Sequence, residues 1–232
     1  MQRRRELQAE VRLRGRIVIA IVFCKVLSLK PRTVLVAALA ASAVEAPAAV
    51  AGSERLAHVL VSGVSQAPPG WIEFCARQPS ECSGPTTTPR ELALSQRAWM
   101  DLVRVNNWVN KTIKPLSDLK HWGVAERWSY PDDGYGDCED YVLLKRRMLV
   151  QVGWPRETLL VTVVRDEKGE GHAVLTVITD EGDYVLDNQN KDILIWSDTG
   201  YRFIKRQSQS NPNVWVSLGD QNPATATATS RK

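Results

Sequence analysis

The sequence has few of the residues that build zinc sites. It holds three His and four Cys, with no C-x-x-C or H-x-x-x-H spacing, which excludes the common zinc arrangements. It has no internal repeats. Its two apolar runs, residues 17–24 and 33–44, are too short to span a bilayer comfortably. It also lacks a basic domain surface. The net charge is +4, but Arg3, Arg4, Arg5, Arg12, Arg14, Arg16, Lys25, Lys30 and Arg32 carry much of the excess. The rest is close to balance, which argues against a nucleic-acid partner.

What remains suits a soluble globular protein of one domain with tails. Hydrophobic residues make up 44% and charged residues 24%. Eight Trp are spread along the chain, and packing accounts for most of them.

The N-terminal part reads as an export signal. Lys30-Pro31-Arg32 precedes the apolar stretch 33–44, and small residues follow, ending in Ala49-Val50-Ala51. This is an n-region, an h-region and an A-x-A site, with cleavage expected after Ala51 and the protein expected in the periplasm. A membrane anchor ranks second. The long basic leader is more than a signal peptide needs, and a translation start near Val26 or Leu27 would account for it. Cleavage removes Cys24. Cys75 and Cys82, in the loop-like FCARQPSECSGP, are close enough in sequence to pair, which would leave Cys138 a free thiol in an oxidising compartment. Without export, three reduced thiols is the plainer reading.

The expected divisions are 1–51 (extension and signal peptide), 52–88 (a lead-in loop region), 89–218 (the main domain) and 219–232 (a disordered tail). Helical spacing covers 89–113, and a short helix 114–122. YPDDGYG, residues 130–136, is a loop. A helix then starts at Asp137, an N-cap type, and stops at Gly153 and Pro155. Tyr141, Leu144, Met148, Leu149 and Val152 form its apolar face, with Lys145, Arg146 and Arg147 in its C-terminal half. Beyond it the period changes to two, with strands over 158–164, 172–179, 183–187 and 213–218. The fold class is α+β.

Cys138 stands at the start of that helix, where unpaired N–H groups and the dipole favour a thiolate. If the turn centres between Asp180 and Glu181, His172 faces Gln189 and has Asp187 as its diagonal neighbour. Asp187 can then orient the imidazole, and His172 can take the thiol proton. Each residue alone has a plain reading: a structural Cys, a surface His, a turn-starting Asp. The order is more specific than its members. A helix-start Cys followed by a strand with His and a neighbouring strand with Asp is the arrangement of papain-like and transglutaminase-like enzymes.

Asp137, Glu139 and Asp140 crowd this thiol and oppose its ionisation. They either cap the helix or hold a hard cation such as Ca²⁺, with Asp132 and Asp133 as additions. The spacing is not that of an EF-hand.

The stretch from WSYPDDGYGDCEDYVLLKRRML through GEGHAVLTV to GDYVLDN resembles the bacterial transglutaminase-like cysteine proteinase family, which includes LapG-type periplasmic proteases. The likeness extends upstream through PPGWIEFC and VNNWVNKTIKPLSDLKHWG and downstream to NPNVWVSL. It implies a papain-like or transglutaminase-like core, with the Cys-bearing helix packed on an antiparallel sheet that bears His and Asp. It implies Cys138 as nucleophile, His172 as base, Asp187 as orienting acid, and calcium held by Asp137, Glu139 and Asp140. It further implies a biofilm-type role: a protein substrate, a large surface adhesin in some members, and an inhibitory membrane receptor that senses a cyclic dinucleotide. A transglutaminase, deamidase or other amidase would use the same three residues through the same thioester. A non-catalytic binding module on this fold is a further alternative.

Overall fold

A run of alternating residues after residue 158 builds the centre of the molecule. The computed structural model describes residues 57–219. The expected signal peptide, its cleavage at Ala51 and the tail from residue 220 lie outside them. The chain runs through β1 (Val61–Ser65), α1 (Pro69–Arg77), α2 (Pro79–Cys82), α3 (Gln96–Thr112) and β2 (Lys114–Pro115). It continues through α4 (Asp118–Trp122), β3 (Tyr135–Gly136), α5 (Cys138–Gln151), β4 (Leu159–Arg165) and β5 (Gly171–Thr179). The last elements are β6 (Gly182–Leu186), β7 (Leu194–Ile195), β8 (Arg202–Gln207) and β9 (Trp215–Leu218).

Seven strands form one antiparallel sheet in the order β1-β9-β8-β4-β5-β6-β7. Its alternating residues feed two cores. Val161, Ala173, Leu175, Val177 and Leu186 join α1, α3 and α5 on one side, and Val164, Val174, Val185, Trp196 and Phe203 form the other. In the β5–β6 hairpin Leu175 faces Leu186. Three residues further on, that register sets His172 opposite residue 189, as the turn at 180–181 predicts.

α5 is where the periodicity misleads. Tyr141, Val142, Leu143, Leu144, Lys145 and Arg146 are all buried, while Val152, expected on the apolar face, is exposed. A helix enclosed on several sides needs no single apolar stripe. Lys145 and Arg146 therefore sit inside the protein, while Arg147 stays half-exposed beside Asp132.

The lead-in region is not a loop over its described residues, 57–88. It holds β1, α1 and α2. Pro69 and Pro79 open helices, the position where proline's fixed φ and missing N–H cost least. α1 buries Trp71 and Phe74, and Trp71 packs edge-on against Trp128 and Trp215 at centroid distances of 6.1 Å and 6.1 Å. β1 pairs with β9 through partners more than a hundred residues away, which no local pattern reveals. α3 begins only at Gln96, capped by the Ser95 side chain, because the backbone of Leu92 bonds to residues 178 and 180 beside β5. Cys75 and Cys82 form a disulfide, and Cys138 is a free thiol.

Trp71 is 1% exposed and ties α1 to the sheet. Trp71→Ala should cost about 3–5 kcal/mol, read as a lower midpoint of urea unfolding. A loss under about 1 kcal/mol would show that α1 is peripheral.

Candidate active site

Cys138 is the first residue of α5, and Asp137 occupies the N-cap position. The Asp137 side chain does not cap the helix. Its Oδ2 accepts from the Asp118 N–H at 3.1 Å. The pairing that permits this is short and parallel. β2 lies beside β3, with Lys114 N–H bonded to Gly134 O and Leu116 N–H to Gly136 O, both at 2.9 Å. This brings the start of α4 against the start of α5. Gly136 has no room for a side chain, because a Cβ there would lie 2.7 Å from Asp140.

The three residues singled out as a triad come together on α5, β5 and the end of β6. His172 Nε2 bonds to Asp187 Oδ1 at 2.8 Å, and both side chains are buried. A carboxylate only accepts, so Nε2 carries the proton and Nδ1 is left as the acceptor. The thiol lies one residue along β5, near the Ala173 backbone N–H, which favours the thiolate. Burial pushes the Cys138 thiol well up, and the Glu139 carboxylate adds to this. The thiol donates to Glu139 Oε2 at 3.1 Å, so the helix start does not by itself yield a thiolate. A base must remove the proton.

Two further residues support this pair. The Tyr201 hydroxyl donates to Asp187 Oδ2 at 2.6 Å. Gln189 donates its backbone N–H to Asp187 Oδ1 at 2.9 Å and its side-chain amide to His172 Nδ1 at 3.3 Å. Burial works against the Asp187 charge, but the bonds from His172, Tyr201 and Gln189 outweigh it and hold its pKa below the ordinary carboxylate range. The register pointed to Gln189. Tyr201 comes from a connection that carried no signal.

The carboxylates divide differently from the expected trio. Asp118, Asp137 and Glu139 offer ligand atoms within 4.8 Å of one another. Asp140 borders that group: its Oδ2 is also buried without a hydrogen-bond partner, and the Asp137 and Asp118 charges act on it. It is fully buried, and its Oδ1 accepts from the Ser129 N–H at 2.7 Å. Asp132 pairs with Arg147 at 3.0 Å and Asp133 with His121 at 2.8 Å. Asp118 was missed because nineteen residues separate it from Asp137 and only the β2–β3 pairing joins them. Asp118 Oδ1 and Asp137 Oδ1 are buried with no hydrogen-bond partner. Burial, then the neighbouring Asp137 charge, pushes Glu139 up to about 9. Burial likewise pushes Asp140 up to about 8 and raises Asp118.

A helix-start thiol beside a His–Asp pair on an antiparallel sheet defines a class, the transglutaminase-like thiol hydrolases. Residues 61–223 match the model of the bacterial transglutaminase-like cysteine proteinases (BTLCP), and the chain belongs to that family. It is a transglutaminase-like cysteine peptidase. Solved structures of LapG from Legionella pneumophila are similar to it. One shares 25% identity, with a TM-score of 0.44, over 55% of this chain and 72% of that chain. An EGTA-treated form shares 26%, with a TM-score of 0.44, over 55% and 74%. A calcium-bound form shares 20%, with a TM-score of 0.46, over 65% and 91%. The family assignment rests on the sequence match, not on these superpositions. No curated protein matches the chain by sequence.

The raised carboxylates set a pH dependence. Glu139 and Asp140 bind protons in the fold at pH values where they are ionised when unfolded. Their contribution is complete below about pH 4 and is lost as pH rises toward 8 and 9. In metal-free buffer the melting temperature should therefore fall between pH 5 and pH 7, and Glu139→Gln should flatten that slope. A melting temperature that rises over this window would contradict the assignment.

Proposed function

We propose that this peptidase is an exported endopeptidase that cleaves a protein substrate through Cys138, His172 and Asp187, with calcium bound at the start of α5. The observation that carries the reading is the buried 2.8 Å bond between His172 and Asp187, with the Cys138 sulfur against the next residue of β5. His172 Nδ1 takes the thiol proton once Gln189 releases that nitrogen and Glu139 releases the thiol. The sulfur attacks the scissile carbonyl, and the Cys138 N–H at the helix start faces the oxyanion. The imidazolium then protonates the leaving amine, and water, activated by the same base, hydrolyses the thioester. Asp187, fixed by Tyr201 and the Gln189 N–H, holds the tautomer throughout. Cys138→Ala should abolish cleavage and keep the fold, and Asp187→Asn should lower kcat by about 10³-fold or more. Proteolysis retained by Cys138→Ala would end the thiol mechanism.

The donor set suits a hard cation. It is all oxygen, two of its carboxylate oxygens are buried without partners, and Glu139 stays protonated for want of a compensating charge. Asp118, Asp137 and Glu139 would hold calcium, with Asp140 behind them at Ser129. Bound there, the ion supplies the positive charge that lets these carboxylates ionise beside the thiol. EGTA should lower both activity and melting temperature reversibly. Asp118→Asn should raise the calcium concentration needed by tenfold or more, whereas Asp140→Asn should do so less. Equal behaviour of wild type and Asp118→Asn would remove Asp118 from the site.

The Cys75–Cys82 disulfide supports export, since such bonds persist in oxidising compartments. The periplasm is the proposed location. The family resemblance directs the search for a substrate to large surface adhesins, and for a regulator to an inhibitory membrane receptor. Capture on Cys138→Ala identifies the substrate. Incorporation of an amine tracer without chain cleavage would reassign the enzyme to acyl transfer.

A further inference from the structure

α5 buries a cation that neither the triad nor the acidic group uses. Arg146 is 3% exposed, and its Nε and Nη1 have no hydrogen-bond partner among the described residues. Its guanidinium lies over the Trp71 ring, 5.7 Å from the centroid. Arg146 stands eight residues after Cys138 on α5, about 12 Å along the helix axis. A guanidinium does not shed its proton, so a buried one needs acceptors and an opposing charge.

Arg146 lines a cavity of about 160 Å³, together with Arg156, Glu157, Gln207 and Ser208. A single water needs about 10–15 Å³ of such volume, so a polyatomic ion fits with some of its water. The exposed Gly84 and Pro85 also line the cavity, which therefore reaches solvent.

The walls do not supply what Arg146 lacks. Arg156 is half-exposed; its Nη2 bonds to Glu81, and its Nε is buried without a partner. Glu157 is committed to Arg90 at 2.7 Å. Gln207 Oε1 accepts from the Val161 N–H at 3.1 Å, and its Nε2 donates to Pro212 O at 3.2 Å. The Ser208 and Ser210 hydroxyls bond to each other at 2.9 Å. Guanidinium nitrogens on two arginines of one cavity are thus left over. The Arg156 charge adds to burial in lowering the Arg146 pKa, and Glu81 works against both. One carboxylate therefore serves two cations.

We infer that this cavity binds a small oxyanion, a carboxylate or a tetrahedral anion of the sulfate and phosphate kind, with Arg146 as its main ligand and Arg156 as the second. Such an ion meets both deficits at once. Its oxygens accept from the unpartnered N–H groups, and its charge offsets the excess cation. Water would meet only the first. The neighbouring Glu81 and Glu157 disfavour polyanions and keep the ligand small. A bound ion joins α5 to the connection between α5 and β4, so its occupancy shows as stability of the fold. The site stands apart from the thiol chemistry and does not depend on it.

The test uses the whole protein with calcium held constant. Sulfate and acetate are the probes, since both leave calcium in solution, and chloride keeps the ionic strength fixed. Binding is read by isothermal titration calorimetry and by melting temperature. At least one probe should bind at about millimolar concentration or below and raise the melting temperature. Tighter sulfate marks a tetrahedral ligand, and tighter acetate a carboxylate. Arg146→Met should weaken that binding about tenfold or more. Without a probe its melting temperature should hold or rise, because an apolar side chain replaces a buried charge. Arg156→Gln, at a half-exposed position, should weaken binding too, and it decides the matter if Arg146→Met does not fold. A wild type that binds neither probe overturns the inference. So does equal binding, or an equal rise in melting temperature, in wild type and folded variants, which is what a general salt effect would give.

Discussion

A carboxylate can stay ionised inside a protein only when its oxygens are well supplied with donors, and the arrangement around Asp187 follows from that constraint. Its oxygens take bonds from His172, Tyr201 and the Gln189 N–H. Its own carbonyl is held by Asn110 of α3. One buried charge thus ties together β5, the end of β6, the connection before β8, and a helix on the sheet's flank. The orientation of the imidazole is a by-product of satisfying that charge.

The start of α5 presents the opposite case, a place where charge is not yet satisfied. Asp118, Asp137 and Glu139 face one another, and the Cys138 thiol donates to Glu139. Like charges at this separation cannot all ionise in a site shielded from water. The thiol is held protonated by the same crowding. The charge state of this acidic group and that of the Cys138 thiol are therefore one problem. A single cation on the acidic side changes both.

Legibility followed the range of the interaction. The β5–β6 hairpin was readable because its register depends on a short turn, and the Cys-bearing helix because its ends carry Asp137, Gly153 and Pro155. Asp118 and Tyr201 were not readable. Each reaches the site through pairings between distant segments. Asp140 shows the converse limit. Being two residues from Cys138 put it in the expected trio, and the fold commits one of its oxygens to Ser129 and leaves the other buried without a partner.

The amino-acid order by itself pointed to Cys138, His172 and Asp187 and determined the elements that carry them, because capping, helix period and hairpin alternation act over a few residues. Tertiary structure alone decided which carboxylates share a site, what secures Asp187, and that Lys145 and Arg146 are buried. The reason is physical. Local propensity sets backbone shape. Charge compensation and burial depend on which surfaces meet, and here they meet through the β2–β3 pairing and the addition of β1 to the sheet beside β9.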